Sequence, residues 1–160
     1  MNQTGEPMTT IARSVIAAFV FGLLAVASAH AQAAKAHRVV VQVDQNDPAV
    51  MNLALNNAQN VMEYYRDKHE DVSVEIVAYG PGLNMLRDDT SPVKDRIAHI
   101  ASAEATFPSK IVFSACNNTL QGMQKREGHK ITIIPQAGIV PSGAVRIMQL
   151  EEQGWSYVRP

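Results

Sequence analysis

Cys116 is the only cysteine in this chain of 160 residues, and the residues around it are typical of a reactive thiol. It follows the apolar run 110–115, and Asn117, Asn118 and Thr119 come next with a helix-start signal. A strand that ends in cysteine and turns into a helix directs the thiol at backbone N–H groups, which favour the thiolate. The pattern therefore predicts a nucleophilic thiolate. The alternative interpretation is a buried cysteine that acts as a small hydrophobe.

The first 31 residues have the pattern of a signal peptide. Arg13 supplies a positive charge, residues 15–27 are apolar or small, and Ala29-His30-Ala31 is a small-x-small cleavage pattern. We expect cleavage after Ala31, a periplasmic location and one mature domain at residues 32–160 with no membrane segment. An uncleaved N-terminal anchor and a true start at Met8 are the alternatives.

The charge balance excludes some classes of partner. The 14 basic and 15 acidic side chains nearly cancel, and removing residues 1–31 takes one of each away, so the net charge stays at −1. A nucleic-acid partner is not expected, because it would require a clustered positive excess. The histidines of the mature chain show no ligand spacing, so no metal and no cofactor are predicted; they are His37, His69, His99 and His129.

The apolar periodicity predicts strands that alternate with helices. We expect strands at 39–43, 72–78, 110–115, 130–134 and 155–158. Helices are expected at 48–68, 92–101, 118–126 and 143–153, with a short helical turn at 83–87. In the last helix the predicted apolar stripe is Ala144, Val145, Met148 and Leu150. The alternation predicts an α/β protein, a three-layer α/β/α fold with a mostly parallel five-stranded sheet.

This fold class also predicts where a ligand binds. In open parallel sheets the ligand crevice lies beyond the carboxyl ends of the strands. Cys116 is the predicted catalytic residue of this crevice because it is the strongest nucleophile there. Further crevice-lining residues are expected in the loops after the strands: Asp44, Tyr79, Gly80, Asn117, Asn118 and Ser142. Ser142 has a second interpretation as the N-cap of the last helix.

Four segments together resemble the DsrE/DsrF-like family. They are residues 52–58 in the first helix, Tyr79-Gly80-Pro81-Gly82 after the second strand, residues 113–119 around Cys116, and Val140-Pro141-Ser142-Gly143. The resemblance implies a small α/β protein of sulfur relay in which Cys116 carries sulfur as a persulfide. It also implies sulfur donor and acceptor proteins or small sulfane-sulfur compounds as partners. A homo-oligomer, trimeric or hexameric, is expected on the same ground.

The export signal separates this chain from the cytoplasmic sulfur-relay proteins of that family, so the pathway stays open. Two other functions also stay open. One is a non-catalytic binding or assembly module with the same fold. The other is a thiol redox sensor that forms an intermolecular disulfide through Cys116.

Overall fold

The computed structural model describes residues 37–105, 107 and 110–160, so the predicted signal segment lies outside the described part. The strands are β1 (His37–Val43), β2 (Val72–Ala78), β3 (Lys110–Cys116), β4 (Ala137–Val140) and β5 (Ser156–Val158). The helices are α1 (Pro48–Asp67), α2 (Lys94–Glu104), α3 (Asn117–Glu127) and α4 (Gly143–Glu152), with a 3₁₀ helix at Gly80–Leu86. The predicted alternation of strands and helices is confirmed.

The five strands form one sheet in the order β4-β3-β2-β1-β5, and all neighbouring pairs are parallel. With helices on both faces, this is the predicted three-layer α/β/α fold. Val43 pairs with Ala78, and Cys116 pairs with Val140, so these strands end at the same edge of the sheet. The loops after β1, β2, β3 and β4 therefore meet at this edge, as the sequence predicts.

One face of the sheet carries the larger apolar core. Helix α1 begins as predicted: Asp47 Oδ1 accepts a hydrogen bond from Ala49 N at 2.7 Å, and Pro48 occupies the first turn. Buried side chains of α1, the 3₁₀ helix, α2 and α3 pack in one cluster with alternate residues of β1, β2 and β3. Among the described residues no helix is both long and apolar enough to cross a membrane.

The opposite face carries α4. Ile147 and Leu150 of this helix pack on Val40 and Val77 of the sheet. The predicted apolar stripe of α4 is wrong except for Leu150, because Ala144 is exposed and Val145 and Met148 are 48% and 59% exposed. Residues 143, 147 and 150 lie at i, i+4 and i+7 and form the buried face, which leaves 145 and 148 on the outer side.

The fourth strand is not where the sequence predicts it. Residues 130–134 have the β-branched composition of a strand, but Ile134 N donates to Leu86 O at 2.9 Å, and Ile133 forms an isolated antiparallel bridge with Arg87. Ile131 and Ile134 are buried in the larger core instead. The edge of β3 pairs with β4 at Ala137–Val140, so tertiary packing outweighs local β propensity here.

Candidate functional site

Cys116 is the last residue of β3 and the N-cap residue of α3. Its backbone is extended, with φ −71° and ψ 115°, so the chain turns directly from strand to helix at this position. The first N–H groups of a helix have no partner within the helix, and here they lie beside the sulfur. The cysteine is 4% exposed, as the alternative interpretation of a buried residue expects.

Four hydrogen-bond donors act on the sulfur of Cys116. They are the hydroxyl and the backbone N–H of Thr119, the backbone N–H of Gly143, and the backbone N–H of Asn118, which is shared with Pro141 O. Burial raises the pKa of the Cys116 thiol, but these hydrogen bonds lower it by more, so the pKa lies below its ordinary value. Four converging donors match an acceptor with no proton, which is the thiolate.

Two helix N-termini supply these donors. Asn118 and Thr119 belong to the first turn of α3, and Gly143 is the first residue of α4. Ser142 is the N-cap of α4, and its hydroxyl accepts from Val145 N at 3.5 Å. Ser142 is therefore a capping residue, and it places the amide of Gly143 at the sulfur. The positive ends of both helix dipoles favour an anion at this point.

The loops after β2, β3 and β4 are hydrogen-bonded to each other around the sulfur. Gly80 N donates to the Thr119 hydroxyl at 2.9 Å, and Asn118 N donates to Pro141 O at 3.2 Å. Gly80 adopts a φ of +53°, which glycine accepts without steric cost. The Thr119 hydroxyl thus connects Gly80 to Cys116, so the predicted glycine turn fixes the site.

Tyr79 packs against the start of α4. A β-carbon at position 143 would lie 2.8 Å from the Tyr79 Cβ and 3.0 Å from its Cδ1, so only glycine fits there. Burial raises the pKa of the Tyr79 hydroxyl, and the negative charges of Asp44 and of an ionised Cys116 add to this rise. Tyr79 therefore contacts the start of α4 and interacts electrostatically with both Asp44 and Cys116.

Asp44 belongs to a polar network beside Tyr79. Its Oδ2 accepts from Gln42 Nε2 at 2.9 Å and from Arg159 Nη2 at 3.1 Å. The hydroxyl of Tyr157 in β5 in turn donates to Gln42 Oε1. Asp44, a predicted crevice residue, thus forms its hydrogen bonds at the junction of β1 and β5. It is not among the hydrogen-bond partners of the sulfur.

A cleft of about 480 Å³ opens beside the sulfur site, between α3 and the 3₁₀ helix. Of the predicted crevice residues, Gly80 and Asn118 line this cleft; Asn117, the first residue of α3, does not line it. Thr119 lines the cleft and also bonds to the sulfur, so it connects the two. The other lining residues are Asn46, Pro81, Asn84, Gly122, Met123, Arg126 and Glu127.

A buried charge network beneath α4 escaped the sequence prediction. Glu75 in β2 is 2% exposed and accepts from Ser114 Oγ at 2.7 Å. Arg146 in α4 donates to both Glu75 carboxylate oxygens, at 2.8 and 2.7 Å. The signal in the sequence is a glutamate inside an otherwise apolar strand, because a buried carboxylate requires a partner.

His37 lies at the start of β1, at the opposite edge of the sheet from Cys116. His37 stacks on Tyr65 with ring centroids 3.8 Å apart, and its Nε2 lies 2.8 Å from Glu70 Oε2. Within residues 37–105, 107 and 110–160, no three side chains of His, Cys, Asp or Glu are grouped so that they could hold a metal ion.

Comparison with known proteins supports the fold. No family model matches the chain, and no curated protein matches it. A solved structure that resembles it is that of a protein of unknown function, MTH1491, from Methanobacterium thermoautotrophicum. The two share 29% sequence identity with a TM-score of 0.63, over 78% of this chain and 99% of the other. The similarity extends over most of this chain and agrees with the α/β architecture.

Proposed function

We propose that this protein is an exported sulfur carrier of the DsrE/DsrF-like type, in which Cys116 takes up sulfane sulfur as a persulfide and passes it on. The observation that carries the proposal is the set of four hydrogen-bond donors on the Cys116 sulfur. A carrier needs a thiolate at neutral pH, and these donors favour the thiolate over the thiol. The motifs around Cys116, Tyr79 and Ser142 supply the resemblance to sulfur-relay proteins.

The proposed chemistry is thiol exchange in two steps. The Cys116 thiolate attacks the sulfane sulfur of the donor, a new S–S bond forms, and the bond to the donor's carrier group breaks. The electron pair of that bond leaves with the carrier group, as a thiolate or as sulfite. An acceptor thiolate then attacks the outer sulfur of the persulfide, and Cys116 leaves as the thiolate. Electrons and atoms balance without an external oxidant.

The same donors suit the loaded state. A persulfide is an anion, and its inner sulfur must be a good leaving group when the acceptor attacks. Donors that stabilise the thiolate lower the pKa of this leaving group and therefore speed the second step. The cleft beside Thr119 is the proposed approach for the donor, because Thr119 both lines it and contacts the sulfur.

The test is mass spectrometry of the folded protein after exposure to a sulfane donor, followed by an acceptor thiol. We expect one added sulfur atom on Cys116, removed again by the acceptor. Cys116→Ser should gain none. An unmodified Cys116 in wild-type protein that still alkylates in the folded state would overturn the proposal.

The burial of Cys116 favours one alternative function. At 4% exposure, the residue also suits a non-catalytic binding or assembly module in which the thiol only packs. A native thiol that resists alkylation until the protein unfolds would support this alternative. Burial does not separate the carrier from a redox sensor, because both form an S–S bond at Cys116. An oxidant-dependent dimer in non-reducing electrophoresis that Cys116→Ser abolishes would support the sensor.

The homo-oligomer and the export belong to the same proposal. Val145 and Met148 present apolar side chains on the outer side of α4, and Ile139 on the edge strand β4 is 57% exposed. A second copy that covers these side chains would account for their exposure. Light scattering on Met148→Lys tests this, with a smaller particle expected. Sequencing the N-terminus of the protein recovered from the periplasm tests cleavage after Ala31.

A further inference from the structure

The carboxylate of Glu75 is buried, and it accepts hydrogen bonds from the side chains of Ser114 and Arg146. Its Oε1 accepts from Ser114 Oγ at 2.7 Å and from Arg146 Nε at 2.8 Å, and its Oε2 accepts from Arg146 Nη2 at 2.7 Å. Burying a carboxylate is costly unless it is paired and hydrogen-bonded, and replacing such a pair by apolar side chains is often neutral or stabilising. The pair is therefore weak evidence for stability, and its geometry suggests another role.

The geometry joins β3 to α4 at two adjacent points. Ser114 lies two residues before Cys116 in β3, so both side chains lie on the α4 face of the sheet. Arg146 lies three residues after Gly143, in the first turn of α4, where Arg146 N donates to Ser142 O at 2.9 Å. One connection runs from Ser114 through Glu75 to Arg146. The other runs from Cys116 to the amide of Gly143.

We propose that the Glu75–Arg146 ion pair is a positioning device, which holds the first turn of α4 where the Gly143 amide reaches the Cys116 sulfur. The inference deepens the proposed function, since the thiolate it concerns is the one proposed to carry sulfur. Arg146 and Glu75 act through Gly143 and touch neither the sulfur nor the cargo.

The packing of α4 explains why a fork of hydrogen bonds is needed. Apart from Gly143, the buried residues of this helix are Ile147 in its middle and Leu150 near its C-terminal end. On the same buried face, Tyr79 blocks any closer approach at Gly143. The guanidinium fork fixes both distance and orientation on a carboxylate, which a lysine ammonium does not. Arg146 therefore adds an oriented contact in the first turn of α4, close to Gly143.

Other charged or titratable groups face this site, and their influence on the pKa of Cys116 must be distinguished from that of the Glu75–Arg146 pair. They come from the ends of β1, β2 and β5 and from the pair itself: Asp44, Tyr79, Tyr157, Arg159, Glu75 and Arg146. If the pair acted only through its charges, the direction of the shift in the pKa of Cys116 would follow directly. Removing the Glu75 charge takes away a negative neighbour and leaves Arg146 positive, so the thiolate would be favoured.

The positioning role predicts the opposite shift, a higher pKa of Cys116, when the Glu75 charge is removed. In Glu75→Met the fork has no partner, the first turn of α4 moves, and the Gly143 donor is lost. The test is the pH profile of Cys116 alkylation by iodoacetamide in the folded protein. We expect the midpoint of the alkylation profile to rise by about one pH unit. At a pH below the midpoint, this is a tenfold fall in the fraction of Cys116 that is present as the thiolate. A midpoint that falls or stays would overturn the inference.

Two further variants keep the test decisive if Glu75→Met does not fold. Arg146→Lys keeps the charge and loses the fork, so we expect its midpoint to rise as well; a wild-type midpoint would contradict the positioning role. Arg66→Met is the matched control, because Arg66 forms a similar two-oxygen pair with Glu104, at 2.7 and 2.6 Å, between α1 and α2. It should leave the midpoint unchanged. None of these measurements needs a sulfur donor, so they succeed or fail independently of persulfide formation.

Discussion

The hydroxyl of Thr119 bonds to the sulfur of Cys116 and at the same time accepts from Gly80 N at 2.9 Å. A hydroxyl with its acceptor side occupied in this way has its proton available for the sulfur. The orientation of Thr119 therefore follows from the glycine turn after β2. Three loops at one edge of the sheet thus act together on a single sulfur.

Thr119→Val removes this hydroxyl with little change in shape. We expect the pKa of Cys116 to rise by about one unit, because a hydrogen bond to a charged group contributes on the order of 1.5 kcal/mol. The pH dependence of alkylation in the folded protein measures it. Thr119→Ser keeps the hydroxyl and should stay close to wild type. Equal profiles for the valine and serine variants would contradict the role of this hydrogen bond.

Gly143→Ala tests the packing that brings the second helix to the sulfur. The added β-carbon meets Tyr79 Cβ at 2.8 Å, which is too close, so α4 or Tyr79 must move. We expect lower stability and a higher pKa of Cys116, read by thermal unfolding and by alkylation. Gly122→Ala in α3 is the matched control, since its β-carbon meets the Arg126 guanidinium at 3.5 Å. Alanine there should stabilise by about 0.5–1 kcal/mol. A Gly143→Ala protein as stable as wild type would contradict the packing argument.

Asp89 contributes to the loss of folding stability in acid, because its pKa is lowered in the folded protein. Its hydrogen bonds to Arg87 lower the pKa of Asp89 to about 2, and Arg87 also lowers the pKa of Glu127. An aspartate with a depressed folded pKa stabilises the fold above its unfolded value of about 3.9, and this contribution is lost as the pH falls toward 2. Asp89→Asn should therefore flatten the loss of stability over this range, measured by urea unfolding. Parallel acid profiles for wild type and Asp89→Asn would rule this out.

We expect Arg126 to make an anionic sulfur donor the preferred donor of this protein. Its guanidinium lies over Gly122 in the cleft, and it forms no ion pair with the residues described, whereas its neighbour Glu127 pairs with Arg87. Arg126→Gln should slow persulfide formation from thiosulfate by about tenfold and leave a neutral trisulfide donor unaffected. Lys125→Gln, on the same helix and outside the cleft, is the control. An equal loss of rate with both donors would contradict the prediction.

Much of the fold was predictable because its elements carry strong local signals. The cap at Asp47 and the apolar face through Met51 and Leu55 define α1, and the strand end at Cys116 defines the site. The error at residues 130–134 has a physical cause. Ile131 and Ile134 are apolar enough for a strand, and only their contacts with the larger core show that β4 begins later, at Ala137.

The site was predictable in part, for a similar reason. Cys116 and Asn118 stand in one sequence motif, so their proximity is local. Gly143 donates to the sulfur only because β4 lies beside β3, which the sequence does not reveal without the strand order. The Glu75–Arg146 pair joins residues 71 positions apart, and no local pattern indicates which cation balances a buried glutamate.

The pH dependence of persulfide formation at Cys116 tests whether its stabilised thiolate carries sulfur. Wild-type folded protein would be mixed with a sulfane donor at a series of pH values, and the rate of sulfur addition followed by mass spectrometry. We expect one sulfur atom on Cys116 and a midpoint below the pKa of an ordinary cysteine thiol. No addition to the folded protein, or a midpoint above that value, would contradict it.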